Sequence, residues 1–243
     1  MLRSLAIACA FLTRLPVRTG EVHAEQFGPA AACFPLIGLG LGTCSLGIYT
    51  LCTARLGAGL TACLVLAFTA LVTGGLHLDG LADWFDAVGG GRGQAARMLE
   101  IMRDSRIGAH GASALFLVLS SKLIALSSLP SGRLSLALVC APACARAVAV
   151  WLLFAYPSAR ADGLGQSFAT RVQLRHALLA SVFACAALAL FGLVAWLPLL
   201  LCAAAGLALG AWANARLGGI TGDVCGAAIE LSEVAFLIGC RAL

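Results

Sequence analysis

Charge is scarce in this sequence. Of 243 residues only 11% are Asp, Glu, Lys or Arg, whereas a soluble domain carries about 25%. A chain so poor in charge cannot coat a water-facing surface, which excludes an ordinary soluble domain. Lysine is nearly missing. Lys122 is the single one, so the net charge of +5 is an arginine charge. No basic stripe with interleaved aromatic residues occurs, and a nucleic-acid partner therefore finds no support. CxxC pairs are absent too, although there are 11 cysteines. These lie in apolar runs and read as small buried side chains, with neither a zinc site nor a disulfide framework in view. Without an internal repeat, low-complexity tract or linker, residues 1–243 read as one transmembrane domain.

What the sequence does have is apolar length. Apolar residues make up 61% of the chain and glycine contributes 28, a combination suited to close helix–helix approach in lipid. A spanning helix needs about 20 mainly apolar residues. Seven segments qualify: 30–53, 60–78, 112–129, 134–156, 177–197, 199–217 and 225–243. Residues 1–11 resemble a signal peptide, but the apolar stretch is short and Arg14 and Arg18 follow at once. They read as a retained interfacial helix. The expected fold is all-α: a polytopic integral membrane protein of about seven transmembrane helices plus that short helix.

Placing the N-terminus in the cytoplasm puts Arg3, Arg14, Arg18, Arg92, Arg97, Arg103, Arg106, Arg160, Arg171, Arg175 and Arg216 on that side. Only Arg55, Arg133 and Arg241 remain on the other. The positive-inside rule thus predicts N-terminus in and C-terminus out, in a bacterial inner membrane. All 11 acidic residues then face the cytoplasm or the cytoplasmic half of the membrane.

The sharpest constellation is His77-Leu-Asp79-Gly-Leu-Ala-Asp83-Trp-Phe-Asp86. Spacing of i, i+4, i+7 puts the three aspartates on one helix face, with neighbouring Cβ atoms roughly 5–6 Å apart. Three like charges beside a low-dielectric membrane resist ionisation, and a divalent cation relieves them. Magnesium takes oxygen ligands, usually a few carboxylates plus substrate phosphates. The bland alternative, a solvated acidic face, would be flanked by Lys and Ser; here the flanks are Leu78, Leu81, Trp84, Phe85 and Val88.

Beyond this stand Gly89-Gly90-Gly91-Arg92 and Arg103-Asp104-Ser105-Arg106. Glycines let backbone approach a phosphate and arginines grip its oxygens in pairs. Arg92, Arg103, Ser105 and Arg106 are therefore candidate substrate-binding residues, and Asp104 a further metal ligand. A third group runs Gly218-Gly-Ile-Thr221-Gly-Asp223, then Glu230 and Glu233. Asp223 caps a helix or completes the metal shell. A charge inside a bilayer costs about 2.5–3.5 kcal/mol, so the two glutamates need partners. Lys122 and Arg146 are the counter-ions within reach, and further candidates for holding substrate.

Gly74-Gly-Leu-His77-Leu-Asp79-Gly-Leu-Ala-Asp83-Trp-Phe-Asp86 resembles the signature of the cobalamin (5'-phosphate) synthase family of adenosylcobinamide-GDP ribazoletransferases. So do Met98-Leu-Glu-Ile-Met-Arg103-Asp104-Ser-Arg106-Ile-Gly and Gly218-Gly-Ile-Thr221-Gly-Asp223-Val-Cys-Gly-Ala-Ala-Ile-Glu230. Phe11-Leu-Thr-Arg14-Leu-Pro16-Val, Phe34-Pro35-Leu-Ile-Gly38 and Gly163-Leu-Gly165-Gln-Ser-Phe168 are also similar, so the match covers nearly the whole chain. Trp84-Phe85 stands where smaller residues are expected, Ala87 where glycine is usual and Asp162 where glutamate is commoner.

The resemblance implies that α-ribazole, or its 5'-phosphate, displaces GMP from adenosylcobinamide-GDP, with magnesium as cofactor. Asp79, Asp83, Asp104 and Asp223 are then expected at the metal, Asp86 as a shared ligand or the catalytic base, and Arg103 and Arg106 at the diphosphate. Lipid surrounds the chain; self-association is left open. One rival is an ion-coupled transporter with intramembrane carboxylates. Against it, the carboxylates gather at one face and no repeat is visible. A lipid CDP-alcohol transferase would need a longer aspartate motif than this one.

Overall fold

The computed structural model describes the backbone of residues 1–243 and every side chain except that of Leu164. Helices follow one another along the chain: α1 (Leu2–Leu12), α2 (Phe27–Ala32), α3 (Phe34–Thr73), α4 (Leu76–Gly90), α5 (Ala95–Ile101), α6 (Ala109–Ser128), α7 (Ser131–Ala155), α8 (Leu164–Ala169), α9 (Leu174–Ala189), α10 (Trp196–Leu217) and α11 (Gly222–Ala242). No strand forms among the described residues; an isolated parallel bridge joins Ser158 to Ile220. The molecule is the all-α membrane protein that composition demands.

Four helices are long and apolar enough to cross a bilayer: α3, α6, α7, and α10 together with the turn before it, Gly192–Leu217. With 40 residues, α3 would measure about 60 Å at 1.5 Å per residue, twice a hydrocarbon core. It breaks at Gly57, whose φ of 73° and ψ of 165° are not helical. Leu36, Gly40 and Cys44 from one arm line the same cavity as Phe68 and Val72 from the other, so the arms fold back on each other. They match the two separate expected segments 30–53 and 60–78. Elsewhere the boundaries differ. The segment expected over 177–197 is helical only to Ala189, because the chain turns at Gly192 with φ 67°.

At the centre lies α7, 89% of whose apolar window is buried. It packs on α3, α9, α10 and α11. Gly38 and Gly42 of α3 bring that helix against the α7 backbone: a Cβ at Gly38 would lie 2.6 Å from the Pro142 carbonyl carbon, and one at Gly42 2.9 Å from Val139 Cα. Close approach of small residues replaces the hydrophobic force that lipid cannot supply. Beside α7 packs α11, which also bears on α4 and α10, and the site is built at its N-terminal end.

Candidate active site

The aspartate segment begins afresh after α3. Gly74 and Gly75 both hold left-handed backbone, φ 64° and 70°, a conformation costly for side chains with a Cβ. This ends one helix and starts α4, so that Asp79, Asp83 and Asp86 recur on one helical face. Two glycines then bring α4 onto α11. A Cβ at Gly80 would stand 2.9 Å from Asp223 Cα, and one at Gly226 would stand 3.2 Å from the His77 carbonyl oxygen. Small residues at the crossing thus deliver Asp79 and Asp83 to Asp223.

Asp223 sits in the first turn of α11, where Thr221 Oγ1 caps the helix by accepting from the Val224 N–H at 3.2 Å. A loop joins from the side. The Ala159 N–H donates to the Ile220 carbonyl at 2.8 Å, and the Ile220 N–H to that of Pro157 at 2.9 Å. This short ladder aims Arg160 at Asp223, Nη2 to Oδ2 at 2.8 Å. Arg160 carried only a topological charge in the sequence reading. Its neighbourhood with the Gly163–Phe168 motif was the available signal.

The charges act on one another. Burial, then the negative charges of Asp79 and Asp223, push the Asp83 carboxyl up to about 7, against the pull of Arg160. Burial also raises Asp223, with Arg160 opposing and Asp79 adding. Among the described residues no three His, Cys, Asp or Glu side chains form a group placed to hold a metal ion. Three carboxylate groups, Asp79, Asp83 and Asp223, nevertheless act on one another in a region where Arg160 is the paired cation.

The other expected site residues lie elsewhere. Asp86 caps a helix: its Oδ2 accepts from the Gly108 N–H at 2.7 Å and its Oδ1 from the Gly111 N–H at 2.8 Å, at the start of α6. Each oxygen takes one backbone N–H, so Asp86, the expected shared ligand or base, also anchors α4 to the start of α6. Asp104 is not among the groups whose charge shifts Asp83 or Asp223. Arg106 grips it, Nη2 to Oδ2 at 2.6 Å, and that bond holds its carboxyl at about 2. Arg106, Arg92 and Ser105 are exposed and Asp104 is partly so. Arg103 reaches Asp162 at 3.1 Å and shares a water-facing cleft of about 300 Å³ with Glu100 and Arg160.

Lys122 and Arg146, expected among the substrate-binding residues, are corrected by their burial. Lys122 Nζ lies 2.7 Å from Glu230 and 2.6 Å from Glu233, and Arg146 Nη1 lies 3.1 Å from Glu233. Two positive and two negative side chains neutralise one another between α6, α7 and α11, so these cations hold the protein together. The glutamates thereby have the partners their place in an apolar helix required. His77 borders this network through Nδ1, 3.4 Å from Arg146 Nη2.

Between α1, α7, α11 and the Arg160 loop lies a cavity of about 280 Å³. Asp79, Asp223, Arg160, Ser158 and Thr221 form its polar side, and Phe11, Phe34 and Phe168 its aromatic side. The rings pack on one another, with centroids of Phe11 and Phe168 4.6 Å apart and of Phe34 and Phe168 5.3 Å apart.

Residues 4–241 match the family model for cobalamin-5-phosphate synthase. An adenosylcobinamide-GDP ribazoletransferase of Klebsiella pneumoniae is 40% identical over 98% of this chain and 99% of its own length. That of Escherichia coli K12 is 40% identical over 94% and 95%, and that of Shigella boydii 41% identical over 94% and 95%. No solved structure matches the chain. With the family model and these relatives spanning nearly every residue, the two aspartate-bearing helices and the loops between them included, this chain belongs to the cobalamin-5-phosphate synthase family.

Proposed function

We propose that this protein is a membrane-bound transferase that joins adenosylcobinamide-GDP to α-ribazole or its 5'-phosphate, giving adenosylcobalamin or its phosphate and GMP. The observation that carries it is the meeting of Asp79, Asp83 and Asp223 with Arg160 beside a cavity, in a chain 40% identical to ribazoletransferases along its whole length. A ribose hydroxyl attacks the phosphorus bonded to cobinamide and GMP leaves. Such a transfer rests on positioning and charge neutralisation more than on covalent chemistry.

Asp79, Asp83 and Asp223 would hold magnesium, which neutralises charge on the transferring phosphoryl oxygens. Arg160 and Arg103 line the cleft next to these carboxylates and bind the diphosphate through their planar forks. The Arg106 fork is already taken by Asp104. The protein lies in the bacterial inner membrane with the site open to the cytoplasm, where nucleotide substrates are. Nothing favours transport: the buried charges are neutralised in pairs.

The test is incubation of purified protein with adenosylcobinamide-GDP, α-ribazole and magnesium, with GMP measured. GMP release that needs both substrates and stops on chelation supports the reading. Release without α-ribazole, or none at all, refutes it.

A further inference from the structure

The two substrates of the proposed reaction differ greatly in size and polarity. One is a corrin macrocycle carrying a nucleoside diphosphate. The other is a ribonucleoside with a fused, apolar, aromatic base. The cavity of about 280 Å³ falls near the lower end of the roughly 300–1,000 Å³ typical of small-molecule sites. It has room for a nucleoside and none for a corrin ring with its side chains.

Its chemistry is divided in the same way. Apolar and aromatic groups dominate the lining, among them Phe11, Phe34, Phe168, Ala149 and Leu153, while Asp79 and Asp223 stand on the polar side. Aromatic rings favour a flat aromatic guest in offset or edge contact. His77 lines the same wall and is held from behind by Arg146, whose Nη2 lies 3.4 Å from its Nδ1.

Resting on the reaction proposed above, we infer that this cavity is the acceptor subsite: it takes the benzimidazole-type nucleoside with its base against the Phe11, Phe34 and Phe168 side and its ribose hydroxyls toward Asp79 and Asp223. The corrinoid nucleotide stays outside, with its diphosphate in the Arg103–Arg160 cleft. Specificity for the base then resides in residues that never touch the corrinoid.

Steady-state kinetics with each substrate varied in turn checks this. Ala149→Leu, which fills the cavity from α7, should raise KM for α-ribazole about tenfold or more, the scale of one or two methylenes in an apolar pocket. KM for adenosylcobinamide-GDP should change less than about twofold. Equilibrium dialysis of α-ribazole against the wild-type protein in chelator, without the second substrate, removes dependence on any variant folding; saturable binding is expected. A rise confined to KM for the corrinoid, no change in either KM in a folded variant, or no saturable binding overturns the assignment. If the wild type releases no GMP, the reaction falls, and dialysis of α-ribazole against Ala149→Leu beside the wild type decides the subsite: binding about tenfold weaker in the variant supports it, and equal binding overturns it.

Discussion

A carboxyl group that shares its surroundings with two others has reason to hold a proton. Asp83 is the clearest case, raised to about 7 by burial and by Asp79 and Asp223. An asparagine in its place keeps the shape and removes the charge that a cation needs. Asp79→Asn, Asp83→Asn and Asp223→Asn should each lower GMP release by about 10²–10³, the scale of a lost electrostatic contact in a transition state. Thermal stability should be preserved in Asp79→Asn and Asp83→Asn, since like charges are being relieved, whereas Asp223→Asn also weakens the pair with Arg160 and should melt somewhat earlier. Asp104→Asn should keep activity within about tenfold of wild type, because its partner is the exposed Arg106 and exposed pairs contribute about 0–1 kcal/mol. Parallel GMP assays and thermal unfolding of the four variants decide this. Equal losses in all four would restore Asp104 to the site.

The arginines separate by the same reasoning. Lysine keeps the charge and loses the planar fork. Arg160→Lys gives up a charge-assisted hydrogen bond of about 1.5–3 kcal/mol where phosphate would bind, so kcat/KM should fall roughly tenfold to a hundredfold. Arg106→Lys should fall by less than about threefold. The opposite order would mean that Arg106 releases Asp104 to grip substrate.

Elements meet here through absent side chains. Gly80 lies against the backbone of Asp223, and backbone cannot swing aside. Gly80→Val should cost about 1–3 kcal/mol by overpacking and separate the two halves of the site. Activity is expected to fall further than the drop in melting temperature alone explains. The second joint is ionic. Lys122 ties α6 to Glu230 and Glu233 of α11, and Lys122→Met leaves Arg146 to face two carboxylates. Breaking a buried pair costs about 3–5 kcal/mol, so the single variant should melt much earlier in detergent. Lys122→Met combined with Glu230→Gln should recover part of the loss. A single variant as stable as wild type would show that water reaches the network.

At the scale of the whole molecule the arginine bias predicts orientation. Residues 79–110 carry Arg92, Arg97, Arg103 and Arg106 and should face the cytoplasm. Gln94 is exposed and starts α5 with φ −92°, a conformation any residue adopts. In a background freed of its 11 cysteines, Gln94→Cys should resist an impermeant thiol reagent in intact cells and react once they are opened. Labelling from outside would invert the protein and cut the site off from its nucleotides.

Much of this was legible in the chain itself. Apolar runs, glycine content and scarce charge determined an all-α membrane protein, because lipid admits only helices and closed barrels and runs of about 20 apolar residues have the length of a helical span. The i, i+4, i+7 spacing put Asp79, Asp83 and Asp86 on one helix face, because helical periodicity is local. What the spacing could not contain is which partner each side chain meets. That Asp223 joins Asp79 and Asp83 while Asp86 caps α6 depends on how α4 crosses α11 and abuts the start of α6. That Arg160 faces the site, and that Lys122 and Arg146 are used up on Glu230 and Glu233, follow from contacts between residues 63 to 111 positions apart in sequence. Charge and spacing decide what a segment can do; only packing brings the distant groups together that make it a site.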